Sequence, residues 1–100
     1  MAEFFKVGDH VRVRQWEDMA AEFPIRQNGN IEVAYLFTVD MRAFCGTECF
    51  IQGVRPGKWN GREMQEIICQ HLPAYMWSNE MFELVQSAPQ ITITSLDELL

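Results

Sequence analysis

Residues 75–85 read Tyr75-Met76-Trp77-Ser78-Asn79-Glu80-Met81-Phe82-Glu83-Leu84-Val85, and the fold of the chain turns on how this stretch is divided. Ser78 can start a short helical turn by offering its hydroxyl to the turn's first amides, and Glu80 suits the positive end of the turn's dipole. Met81, Phe82, Leu84 and Val85 follow as an apolar strip. Before the turn, Tyr75 and Trp77 stand two apart, so in extended chain they share a face, each able to bury on the order of 150 to 250 Å². One turn therefore joins two packing strips, the signature of a strand-turn-strand node rather than of a continuous helix.

Working outward, 100 residues with 48% apolar content allow one domain with a modest core. No apolar run approaches the roughly 20 residues of a membrane-spanning helix. The first residues lack the basic, apolar and cleavage segments of a secretion signal, so a cytoplasmic protein is expected. Three cysteines, Cys45, Cys49 and Cys69, make an odd set, and reduced thiols are the default.

The strand reading comes from alternation and turn signals. Val11 and Val13 alternate with Arg12 and Arg14 over residues 10–15, giving a half-buried strand. Residues 16–30 read as a long loop, with Pro24 interrupting any helix and Gln27-Asn28-Gly29-Asn30 forming a turn cluster. Ile31, Val33, Tyr35, Phe37 and Val39 alternate with their neighbours and predict a second strand over residues 31–39, with Thr38 as a rival start for a helical turn over residues 40–44. After Cys45-Gly46, a strand is predicted over residues 47–54, bulged at Gly53. Arg55-Pro56-Gly57-Lys58 and Trp59-Asn60-Gly61-Arg62 read as two successive turns, and residues 66–72 as the next strand, stopped by Pro73. Beyond residue 87 the tail holds a short strand, Ile91-Thr92-Ile93-Thr94, and a capping box at Ser95 to Glu98. Residues 1–87 are thus expected to form the domain and 88–100 a C-terminal extension.

Short strands with Gly and Pro turns in so few residues point to a small barrel. Gly8-Asp9-His10-Val11-Arg12-Val13-Arg14, Met41-Arg42-Ala43-Phe44-Cys45-Gly46-Thr47-Glu48 and residues 75–83, in that order, resemble the small SH3-like barrel proteins encoded by phages and prophages of Gram-positive bacteria. The resemblance covers residues 6–85. It implies a mainly β, five-stranded, strongly bent barrel with one or two short helical turns, and it carries over no catalytic residue. The segment between Arg55 and Glu66 and the tail after Val85 depart from the pattern, so specific function is expected in those additions.

Charge sharpens the functional expectation. The net charge of −6 lies entirely in the last 38 residues, where Glu63, Glu66, Glu80, Glu83, Asp97 and Glu98 are joined by no Lys or Arg. A face built from them repels phosphates and attracts basic protein surface, although a merely solvating acidic face is the ordinary alternative. Trp16 and Trp59 are candidate exposed anchors for a partner, or else covers for the barrel ends. With the resemblance, this gives a non-enzymatic protein-binding accessory of phage or mobile-element type. In its sharpest form it inhibits a bacterial defence (CRISPR-like) protein through Trp16, Trp59, Glu63, Glu66, Glu80 and Glu83. Two alternatives stay open. One is a nucleic-acid-binding barrel using Arg12, Arg14 and exposed Trp; the other is a structural or oligomerisation module, monomer or homodimer, with no separate ligand.

Chemistry-bearing groups are sparse. Cys45, Cys49, Cys69 and His71 supply four zinc-type ligands, but Cys45-x3-Cys49 is not the usual knuckle spacing, and packed thiols explain them as well. Cys69 and His71 lack a third orienting group and an oxyanion hole. The glycines precede no phosphate-binding helix. Neither cofactor nor catalytic residue is expected.

Overall fold

The computed structural model describes residues 3–89. The predicted tail strand and capping box lie outside these residues. The chain is mainly β, with five antiparallel strands in one sheet, a short α-helix and two 3-10 turns.

β1 (His10–Val13) buries Val11 and Val13 completely, as its alternation requires. It pairs on one side with β2 (Glu48–Trp59) and on the other with β5 (Phe82–Gln86). β2 is twelve residues long because it serves two partners in turn. Its first residues pair with β1; the register then slips between Ile51 and Gly53, and the rest runs with β3 (Arg62–Cys69). The slip falls at the glycine predicted to bulge. A Cβ at Gly53 would meet Ile68 Cδ1 at 3.2 Å, so the missing side chain lets the two strands close up.

Arg55-Pro56-Gly57-Lys58 is not the turn predicted from its composition. These residues lie within β2, opposite Glu66, Gln65, Met64 and Glu63. Beyond Ile51, β2 has a strand partner on one side only, the edge setting in which a proline without an N–H is tolerated. The chain reverses instead at Asn60-Gly61, with φ of 50° and 81°, the two-residue hairpin that Asn-Gly favours. The connection expected to be long is therefore a tight hairpin, and β3 begins at Arg62 rather than at residue 66.

β4 (Trp77–Ser78) pairs with β3, a 3-10 turn over Asn79–Met81 follows, and β5 returns to β1. Ser78 stands at the turn's N-cap as predicted, but its hydroxyl makes no capping hydrogen bond; its backbone N–H faces Met81 Sδ at 3.5 Å. The strand order is β4-β3-β2-β1-β5, so one turn links the two edges of the sheet. No ladder joins β4 to β5 among the described residues, and the sheet is open where a closed barrel was expected.

The β1–β2 connection supplies much of the core. α1 (Trp16–Glu22) occupies part of the expected loop, ends just before Pro24, and buries Met19. The strand predicted over residues 31–39 does not form. Ile31 and Phe37 exchange backbone hydrogen bonds of 2.9 and 3.0 Å, which closes the segment into a tight loop. Tyr35 and Leu36 take left-handed φ of 66° and 61°. Ile31, Val33 and Phe37 of the predicted inner face are nonetheless fully buried, whereas Val39 of that face is 52% exposed and Ala34 of the opposite face is buried, so the alternation marked burial only in part and without extension. The rival reading at Thr38 is the one realised: a 3-10 turn spans Val39–Phe44, and Gly46 follows at φ 86°. Met19, Ile31, Val33, Phe37 and Met41 from this connection pack with Val11, Val13, Ile51, Ile67, Trp77 and Phe82 of the sheet region.

Candidate functional site

Trp77, buried on β4, is the centre of an aromatic shelf. Phe82, Tyr75, Phe37 and Phe44 surround it with ring centroids 5.7 to 6.4 Å away. Tyr75 shares this packing as the sequence anticipates, yet remains 40% exposed, and Met76 beside it is 52% exposed.

Next to the shelf lies a cleft of about 440 Å³. Tyr35, Leu36, Thr38 and Met41 of the β1–β2 connection form one wall, and Trp59, Tyr75 and Met76 the other. Trp59, at the end of β2, meets Tyr35 edge-on with centroids 5.6 Å apart. Its indole Nε1 is buried and has no acceptor among the described residues, and the Thr38 hydroxyl is likewise buried without a partner. Such orphans are uncommon and call for an explanation. The wall also contains backbone strain: consecutive left-handed residues without glycine cost on the order of 1 to 3 kcal/mol each.

Glu80 holds this wall in place. Its side chain is 5% exposed, and its carboxylate accepts the Ala34 N–H at 2.7 Å and two N–H groups of Arg62 at 2.7 and 2.9 Å. The guanidinium lies in turn 5.9 Å from the Phe23 ring centroid. Ala34 immediately precedes the strained pair, so the carboxylate fixes the loop where the turn begins.

The residues expected to meet a partner are dispersed. Glu80 is interior and engaged, which corrects its assignment to an exposed acidic face. Glu83 pairs with Arg12 at 2.9 Å and Glu66 with Arg55 at 3.8 Å, while Glu63 is exposed opposite Lys58. Three of the four described glutamates of the final third are thus matched by arginines from the first two thirds, so at these positions segregation along the chain is not segregation in space. Trp16 is half-buried, tilted on Phe37 at 6.0 Å, with Arg42 over its ring at 5.0 Å. It covers the core, whereas Trp59 lines the cleft. Arg12 also approaches Glu48 at 3.8 Å, and Arg14 pairs with Glu22 at 3.1 Å, so the basic strip needed for nucleic acid is neutralised in the same way.

Cys49 and Cys69 are brought together, Sγ to Sγ 2.9 Å, both as free thiols. Their contact holds the Cys49 thiol below its ordinary range and, with burial, pushes Cys69 up. Cys45 lies apart beside Trp16, its thiol raised chiefly by burial. No cluster of three or more metal-ligating side chains occurs among the described residues, so the four-ligand zinc arrangement is not assembled. No described helix is long and apolar enough to cross a membrane.

No family model, curated protein or solved structure matches the chain. The cleft was hidden in the sequence because the strand reading placed Tyr35 on a buried face. Only the pairing of Trp59 with an Asn-Gly reversal signals that an indole would stand at a hairpin end.

Proposed function

We propose that the protein is a non-enzymatic binding module that takes an extended segment of a partner protein into the cleft between Tyr35, Trp59 and Tyr75. The observation that carries this reading is the buried Trp59 Nε1–H, without an acceptor among the described residues, on an indole that lines an otherwise apolar wall. An unsatisfied buried donor costs about 1 to 3 kcal/mol, which an incoming carbonyl recovers by drawing the indole N–H, closed to solvent in the free protein, toward the cleft. Extended chain presents carbonyls and side chains at regular intervals, so one segment can meet the indole N–H and fill the apolar space together. Exposed Tyr75 and Met76 continue the apolar surface beyond the cleft, the residue types enriched at interface centres.

Support for the family resemblance comes from the strand order β4-β3-β2-β1-β5 with a 3-10 turn between β4 and β5, which is the arrangement an SH3-like barrel would have before closure. An inhibitor covering a basic surface through its carboxylates draws on the net charge of −6 and on exposed Glu63. It draws less than the cleft does, because Glu66, Glu80 and Glu83 are engaged with arginines.

The test is selection from a displayed random-peptide library, followed by titration of selected peptides with the Trp59 indole N–H resonance as readout. Binders are expected to shift that resonance and to lose about 5- to 10-fold in affinity for Trp59→Phe, which keeps an aromatic ring, smaller than the indole, but removes the donor. Peptides that bind Trp59→Phe as well as the parent, or that leave the indole resonance unmoved, would overturn the reading.

A further inference from the structure

The Cys49–Cys69 pair lies where β2 changes partner. Cys49 is opposite Val11 of β1, and Cys69, the last residue of β3, is opposite Ile51 just before the register slips. The two residues are therefore cross-strand diagonal neighbours, with sulfurs 2.9 Å apart in the reduced state. A disulfide needs its sulfurs at about 2.05 Å, so the two sulfurs stand within about 1 Å of bonding distance. Cys49, only 5% exposed, borders a cleft of about 300 Å³ together with His10, Glu48 and His71, and Cys69 behind it is half-buried. Nothing in the cleft reading uses these thiols, and Cys45 does not take part in the contact.

We propose that Cys49 and Cys69 form a peroxide-responsive dithiol that closes to an intramolecular disulfide. The Cys49 thiolate attacks one oxygen of a hydroperoxide. The O–O bond breaks, an S–O bond forms, and with one proton taken up the alcohol (or water, from hydrogen peroxide) departs, leaving a sulfenic acid on Cys49. The Cys69 sulfur then attacks the Cys49 sulfur, the S–S bond forms, the S–O bond breaks, and the hydroxyl leaves as water with the Cys69 proton. Two thiols lose two electrons and the peroxide gains them. Cys49, the one of the two that borders the cleft, is the attacking group, and Cys69 resolves it. The product ties the end of β3 to β2 at the point from which residues 70–76 lead to Tyr75 and Met76. The dithiol stands on its own geometry, whether or not the neighbouring cleft takes a peptide.

The full chain, fully reduced, is treated with hydrogen peroxide at graded concentration, quenched, alkylated and mapped by mass spectrometry. The expected result is a fall from three titratable thiols to one, loss of two hydrogen atoms in the intact mass, a Cys49–Cys69 linked peptide pair, and return to three thiols with dithiothreitol. Cys45→Ser should respond like the parent; Cys49→Ser and Cys69→Ser should not close the bridge. The linkage map of the unmodified sequence decides the matter even if a serine variant folds poorly. Recovery of both Cys49 and Cys69 as alkylated thiols where Cys45 has already oxidised would overturn the proposal, as would oxygen addition or inter-chain bridges without the 49–69 link.

Discussion

Replacing Glu80 by alanine removes three hydrogen bonds at once, and the structure separates their consequences. The Ala34 N–H is left buried with no acceptor, at a cost of about 1 to 3 kcal/mol. Arg62 loses a bidentate partner, but its side chain is 38% exposed and regains water, so the 3 to 5 kcal/mol typical of breaking a fully buried pair must be discounted. Together these give about 2 to 4 kcal/mol, which for a domain of this size lowers Tm by roughly 10 to 20 °C. Arg62→Ala should cost about 2 kcal/mol by leaving the carboxylate buried without its counter-charge. The double variant should cost less than the sum of the two, by about 1 to 2 kcal/mol, because the stranded charge is then gone. Urea unfolding followed by tryptophan emission measures all three. Glu80→Gln retains an acceptor for Ala34 and should fall between the parent and Glu80→Ala. A loss below about 0.5 kcal/mol for Glu80→Ala, or an additive cycle, would refute the role of Glu80 as the anchor of the cleft wall.

Two further outcomes are expected alongside the Trp59 and dithiol tests. Asp9 is buried, which alone would raise its pKa, but N–H donors from Ala88 at 2.8 Å and Lys6 at 3.0 Å, with the Lys6 ammonium at 3.3 Å, hold it below its ordinary value of 3.8. The charged form is thus favoured by folding: its contribution is complete above that ordinary value and disappears as pH falls through the depressed one, so Asp9→Asn should flatten the acid limb of the stability profile. A variant that tracks the parent from neutral pH into the acid range would contradict this. Gly61→Ala should cost about 1 kcal/mol through its left-handed φ of 81° and not through crowding, since a Cβ there meets nothing within 4 Å; a markedly larger loss by chemical denaturation would show that the hairpin packs against more than the described surface.

What could be read in the sequence was local. Val11 and Val13 announced β1, Gly53 the bulge in β2, and Thr38 and Ser78 the starts of the two 3-10 turns, since each signal acts within a few residues of itself. Residues 31–39 failed for a different reason. Alternation marks side chains drawn to the core, and a loop folded into the core can bury several of the same ones as a strand, here Ile31, Val33 and Phe37 but not Val39. The contact that fixes this loop comes from Glu80, 46 residues away, and no pattern window spans that distance. Arg55-Pro56-Gly57-Lys58 failed because turn composition is permissive on a strand with one free edge: β3 supplies the ladder, and the stronger Asn60-Gly61 signal takes the reversal.

Charge was the most persuasive feature of the sequence and proves the least specific in space. All six arginines lie within 4 Å of a carboxylate, and three of the four candidate partner-facing glutamates are their partners. Exposed pairs of this kind contribute little to stability, about 0 to 1 kcal/mol each, but each one lowers the local potential that a phosphate or a basic surface would feel. The acidic-face and basic-strip readings therefore weaken together, through the same contacts. The feature left over is of another kind: the cleft beside Trp59, whose indole N–H and neighbouring Thr38 hydroxyl, like the Ser78 hydroxyl away from it, are buried without partners among the described residues, here against strained backbone. Folding alone gives no reason to retain a buried donor with no acceptor, because an apolar side chain of similar size would be less costly there. A ligand that supplies the acceptor does give one, and that asymmetry makes the cleft a stronger functional candidate than any of the molecule's charges.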